Sequence, residues 1–140
     1  MSVYLDASVL VALFTEDAFT LRADAFLRTN ALVVIVSDLA AAEFASVIAR
    51  HVRTKDITAD AARVAFSTFD AWTARAAQRA ELIAADLAAA KAFLRRFDLG
   101  LRTLDAINIA IAQRLGATLF TFDNRMTKSA CALGIPVART

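Results

Sequence analysis

Short apolar runs that stop at an acid or a hydroxyl alternate along this chain with longer stretches of helical character. Val3-Tyr4-Leu5 predicts a first strand that stops at Asp6. Ala31–Val36 is a continuous, largely β-branched run, the pattern of a strand covered on both faces. Ser37 or Asp38 then caps a helix to about His51, and a second long helix follows Thr58, carrying Phe66, Phe69 and Trp72. Glu81–Ala85 reads as a short strand, followed by a helix with Leu87, Phe93 and Leu94. Thr103 reads as the cap of a helix ending near Gly116, and Ala117–Phe122 as a strand stopping at Asp123. A last helix ends at Gly134, and Ile135-Pro136-Val137 reads as an edge strand, where proline is tolerated. This alternation predicts an α/β fold around a parallel sheet. Ligands of such sheets collect outside the carboxyl ends of the strands.

Composition narrows the classes. With 140 residues the chain is one domain, 1–140, and 59% hydrophobic against 21% charged residues excludes disorder. The longest stretch without Asp, Glu, Lys or Arg is ten residues, Ser129–Ala138, too short to span a membrane. The first residues show neither a basic region nor a small-residue cleavage site, so a cytoplasmic protein is expected. One cysteine, Cys131, excludes an internal disulfide and is expected to be a small core residue. One histidine, His51, excludes two-histidine zinc chemistry and reads as an exposed helix-end residue. The net charge of +2 identifies no nucleic-acid binder by itself, though it is compatible with an anionic partner at one basic patch.

Four carboxylates carry the chemistry. Asp6 and Asp123 end strands, which in a parallel sheet puts them on one edge; each also suits a helix cap. Glu43 shares a helix face with Leu39 and Val47, in or beside an apolar stripe. Asp105 and Asn108, three apart, are polar intruders in the otherwise apolar Thr103–Ala112 segment, with no basic partner on that helix before Arg114. Brought together, four negative charges would raise one another's pKa and could not all stay ionised unaided. A divalent cation resolves this, and an all-carboxylate set favours Mg²⁺ or Mn²⁺ over zinc. Such ions support phosphodiester hydrolysis by activating water and stabilising phosphate charge.

The chain resembles the PIN-domain nucleases, specifically VapC-type ribonuclease toxins of toxin–antitoxin pairs, nearly end to end. The resemblance rests on Leu5-Asp6-Ala7-Ser8, on Glu43 in the Ser37–Arg50 segment, on Leu104-Asp105-Ala106, and on Gly116–Asp123, taken in order and spacing. It implies a three-layer α/β/α sandwich with a mostly parallel sheet, an acidic pocket for Mg²⁺ or Mn²⁺, and RNA cleavage. Asp6, Glu43, Asp105 and Asp123 map onto the family's acidic positions. Asp6 and Asp105 would be the principal metal ligands, with Glu43 and Asp123 holding waters or a second ion. The attacking group would be water, with no side-chain nucleophile. Thr121 maps onto a hydroxyl that orders the pocket, with Asn124 and Asn108 in support. The resemblance also implies a VapB-like antitoxin partner and a homodimer or a toxin–antitoxin hetero-oligomer.

Among the basic residues, Arg102 and Arg125 lie nearest the acids in sequence and are the candidates for phosphate contacts. Phe66, Phe69 and Trp72, spaced three apart, read as core or as part of a groove for an antitoxin helix. Two rivals are a catalytically inactive PIN-like module that binds RNA or a partner, and an aspartate-based phosphatase. The second fits less well, because Asp6-Ala7-Ser8 lacks the second acid such enzymes carry.

Overall fold

The computed structural model describes residues 1–30 and 32–140. The elements follow in the order β1 (Ser2–Leu5), α1 (Ala7–Phe14), α2 (Thr20–Thr29), β2 (Val33–Ser37), α3 (Asp38–Arg53), α4 (Ala59–Ala76), β3 (Ala77–Ala80), α5 (Ala84–Leu94), α6 (Thr103–Arg114), β4 (Thr118–Phe120) and α7 (Asn124–Ala132). All pairings are parallel and the sheet order is β3-β2-β1-β4. The chain thus steps outward from β1 through β2 to β3, then returns to the other side of β1. The crevice above the carboxyl ends of β1 and β4 is the switch point at which α/β sheets bind ligands.

Alternation along β1 builds the layers. Val3 and Leu5 face one way and pack with α1, with Phe44 and Ile48 of α3, and with Phe69 of α4. Tyr4 faces the other way, against Ile107, Ile109 and Ile111 of α6 and Met126 of α7. Both faces are covered, giving the α/β/α sandwich. Phe69 is buried, and Phe66 and Trp72 pack against the same core through Phe14 and Phe44, so the aromatic stripe is core. No described helix is long and apolar enough to cross a membrane.

Several boundaries differ from the sequence pattern. The third strand is Ala77–Ala80, not Glu81–Ala85, and follows α4 without a break. Gln78 and Arg79 have no strand preference; pairing with β2 from Val34 to Ser37 holds them extended. Ile135-Pro136-Val137 makes one bridge, Val137 to Leu119, rather than a strand. β2 begins at Val33, and Ala31 lies outside the described residues. Cys131 is exposed, because its position on α7 faces away from buried Met126 and Ala130. His51 lies inside the last turn of α3 and is half-buried.

Candidate active site

Asp6 follows β1 directly and caps α1. Its Oδ1 accepts from the Val9 amide at 3.2 Å and from the Ser8 hydroxyl at 2.6 Å, and its Oδ2 accepts from the Thr121 hydroxyl at 2.5 Å. Thr121 is itself fixed from the far side, because its Oγ1 accepts the Asp123 amide at 3.0 Å. Ser8 accepts the Phe122 amide at 3.0 Å. Neighbouring strand ends are thereby stitched together through one carboxylate. Asp6 is 6% exposed, and no described cation pairs with it. Burial pushes its carboxyl above the usual range; the bonds from Ser8, Thr121 and Val9 oppose this, and the Asp123 charge adds to the rise.

Asp123 caps α7, its Oδ1 accepting from the Arg125 and Met126 amides at 2.9 and 3.2 Å. Asp123 caps its helix through Oδ1 alone, whereas Asp6 has both oxygens hydrogen-bonded; each cap stands at the carboxyl end of a strand, beside the crevice. Asn124 is exposed as the first residue of α7.

Glu43 is half-buried on α3. Its Oε1 accepts from Asn108 Nδ2 at 2.6 Å, and the same nitrogen donates to the Leu104 carbonyl at 2.9 Å. Asn108 Oδ1 accepts from the Tyr4 hydroxyl at 2.5 Å, and the Ser37 hydroxyl lies 2.6 Å from the Tyr4 oxygen. Since Tyr4 donates to Asn108, Ser37 donates to Tyr4, and the Ala40 amide bonds Ser37 Oγ at 3.0 Å. This line fixes which way the Asn108 amide faces and so aims a donor at Glu43. Burial raises the Tyr4 phenol far above its usual pKa and keeps it a donor. Burial also raises the Glu43 carboxyl; the Asn108 bond opposes the rise, and the Asp6 and Asp105 charges reinforce it.

Asp105 stands in the first turn of α6, its side chain 13% exposed. Its Oδ2 is buried and accepts no hydrogen bond. The nearest cation is Arg102, whose Nε lies 3.5 Å away; Arg102, not Thr103, caps the helix, and it is the basic neighbour that the helix itself does not supply. Beside these groups opens a cavity of about 660 Å³ lined by Glu43, Ser46, Arg50, Arg102, Asp105 and other residues. Arg50, one of a basic cluster with Arg53 and Lys55 at the end of α3, is a second basic group of the cleft beside Arg102. Arg125 is exposed at the start of α7.

The acids influence one another in a line, Asp123 on Asp6, Asp6 on Glu43, and Asp105 on Glu43. Among the described residues no three His, Cys, Asp or Glu side chains stand together as a ready-made metal cage. The donor chemistry nonetheless fits a hard divalent cation. Every ligand atom offered is oxygen, the Asp6 and Glu43 carboxyls are raised by burial and like charge, and Asp105 Oδ2 is a buried acceptor without a donor. The long-range contacts by which Ser8, Tyr4 and Ser37 support the acids are not legible in the sequence, since they span 33 to 114 residues.

The PIN-domain family profile matches residues 3–130. No curated protein sequence matches the chain. Among solved structures, VapC20 of Mycobacterium tuberculosis, described as a sarcin–ricin loop cleaving toxin, superposes with a TM-score of 0.77 at 20% identity, covering 99% of this chain and 100% of its own. VapBC2 of Rickettsia felis, bound to a DNA fragment from its promoter, gives 0.73 at 13% identity over 99% of this chain and 98% of its own. FitAcB of Neisseria gonorrhoeae gives 0.72 at 18% identity over 98% and 96%. These likenesses establish a common fold, and the profile match over nearly the whole chain establishes more: this protein belongs to the PIN-domain family.

Proposed function

We propose that this chain is a Mg²⁺-dependent endoribonuclease of the VapC type, a growth-inhibiting toxin neutralised by a cognate antitoxin. The observation that carries the reading is a set of buried or half-buried carboxylates lacking full cationic pairing at the switch point of a PIN fold, with Arg50 and Arg102 on the same cleft. A structural acid would have found a cation or reached solvent; Asp6 has done neither. Likeness of fold to VapC20, a sarcin–ricin loop cleaving toxin, supports RNA as the substrate. Likeness to VapBC2 supports an antitoxin partner, and a homodimer or a toxin–antitoxin hetero-oligomer is the assembly we expect.

Asp6 and Asp105 would hold the cation, with Glu43 and Asp123 orienting water or a second ion. When bound, the cation supplies Lewis-acid activation of water and charge stabilisation at the phosphate. Thr121 and Ser8 fix both Asp6 oxygens, so the carboxylate meets the cation in one orientation. Asn108 does the same for Glu43. Arg102 and Arg125 bind phosphates flanking the scissile bond.

The deciding experiment is RNA cleavage with Mg²⁺, with EDTA, and by the D6N and D105N variants. Cleavage is expected only in the parent chain with metal, and undiminished cleavage by either variant removes its role as a ligand. RNA that binds but is never cut, in single-turnover assays at high protein concentration, would leave a non-catalytic module. The R102E and R125E variants are expected to weaken RNA binding and to flatten its salt slope by about one each.

A further inference from the structure

Beyond Ala7 and Val47, which line both spaces, the acid cleft is adjoined by a second cavity of about 440 Å³. Ser8 and Asp123 lie on its wall, so it opens on the same carboxylate site. Its remaining features are unlike those of the cleft. Phe19 and Phe122 stack with centroids 4.5 Å apart and planes 10° apart. The Arg22 guanidinium lies 5.3 Å from each ring, which braces the pair as one side of the cavity. His51 contributes an imidazole to which no described residue hydrogen-bonds. Asp17 contributes a carboxylate whose Oδ1 accepts the Phe19 amide at 2.8 Å, while Oδ2 takes no hydrogen bond from a described residue.

We propose that this cavity receives one unstacked base of the RNA, adjacent to the phosphate engaged at the acids, and favours a base bearing an exocyclic amino group. The inference rests on the nuclease reading and deepens it. Proteins that read RNA sequence do so on splayed bases, packed against aromatic or histidine rings and hydrogen-bonded at their edges. Here the aromatic pair supplies the apolar wall, His51 supplies an imidazole edge, and the Asp17 carboxylate supplies an acceptor. Adenine, cytosine and guanine present an exocyclic amino group to such an acceptor, whereas uracil offers only a ring N3–H flanked by two carbonyl oxygens that a carboxylate repels. Continuity with the acid cleft places the base beside the scissile phosphate instead of at a remote site.

The test uses the full chain and a single-stranded RNA whose cleavage point has been mapped with Mg²⁺. Each base flanking that point is replaced in turn by an abasic residue. One position is expected to cost the parent chain about tenfold in kcat/KM, and that cost is expected to shrink to about threefold or less in H51A and in D17N. Placing uracil there is expected to cost the parent more than D17N. The D17N variant keeps the acceptor for the Phe19 amide, and circular dichroism confirms its fold. A parent indifferent to abasic replacement at every position, or an equal cost in parent and variants, overturns the proposal; the second result would leave the cavity to a protein partner. If the parent cleaves no RNA, the nuclease reading fails separately. The cavity is then judged by fluorescence anisotropy with the same oligonucleotides in EDTA, where an abasic penalty of about threefold in the parent, lost in both variants, is required.

Discussion

Asp86 and Asp6 are nearly equally buried, at 1% and 6% exposure, and the chain treats them in opposite ways. Asp86 on α5 receives a two-pronged ion pair from Arg114 of α6, Nε at 2.7 Å and Nη2 at 3.1 Å, and the Ile83 amide at 3.0 Å. Burial opposes its ionisation, but those bonds and the Arg114 charge prevail and hold its carboxyl below the usual range. Asp6 receives only neutral donors, and its carboxyl is held above the usual range. The first arrangement is complete and locks two helices together. The second leaves unmet demand for positive charge at a crevice. Burial alone therefore does not distinguish the two acids; the presence or absence of a paired cation does.

The contrast is broken most directly by neutralising each kind of acid. The D6N or D105N variant is expected to lose at least about a hundredfold in RNA cleavage, equivalent to about 2.7 kcal/mol of barrier. D86N is expected to retain cleavage within about twofold, which also fits its distance in role from the chemistry. Comparable losses in all three would erase the distinction. The converse variant, R114L, strands Asp86 in the interior. Arg114 is 31% exposed, so the cost falls below that of a fully buried pair, at roughly 2–3 kcal/mol in urea unfolding. An unchanged midpoint would show that Asp86 does not need its partner.

The Y4F variant sharpens the comparison on the Glu43 side. It removes one hydroxyl from the line linking Ser37, Tyr4, Asn108 and Glu43 while keeping ring volume. Stability is expected to fall by about 1 kcal/mol. Turnover is expected to fall on the order of tenfold, with KM for RNA unchanged, because the amide that orients Glu43 loses its anchor. A drop in stability with turnover intact would make the line purely structural.

These contrasts were only half legible in the sequence. Asp6 and Asp123 announced themselves by ending apolar runs, and Asp105 by interrupting an apolar helix. Those signals are local, and so were the caps at Ser37 and Thr58. What decides how each acid behaves is its partner, and partners are set by topology. Nothing in the sequence marks Asp86, because Arg114 stands 28 positions away, and Tyr4 looks like any apolar strand residue, because Ser37 and Asn108 are 33 and 104 positions away. The position of β3 is obscured in the sequence for a related reason. Leu82 and Ile83 are the apolar residues nearby, yet they are exposed, while the Ala-Gln-Arg-Ala strand is held by its neighbour.

The smallest expected effect tests whether the cleft carries electrostatic strain when no cation is supplied. The Glu43 carboxyl is raised in the folded chain, by burial first and then by the Asp6 and Asp105 charges. A carboxyl with a raised folded pKa binds its proton more tightly folded than unfolded. Its ionisation therefore costs stability, fully above the folded pKa and not at all below the ordinary glutamate value of about 4.3. Gln at this position keeps an oxygen for Asn108 and removes the charge. In EDTA, E43Q is expected to be more stable than the parent near neutral pH by no more than about 1 kcal/mol, because the open cleft lets solvent screen the charge. The gain should vanish as the pH falls below the ordinary glutamate range, where parent and variant are both neutral at this position. Adding Mg²⁺ at neutral pH should raise the parent's unfolding midpoint more than the variant's. If E43Q is instead the less stable protein at neutral pH in EDTA, then Glu43 is a completed structural acid like Asp86, and its unmet charge is not what the cleft offers to a cation.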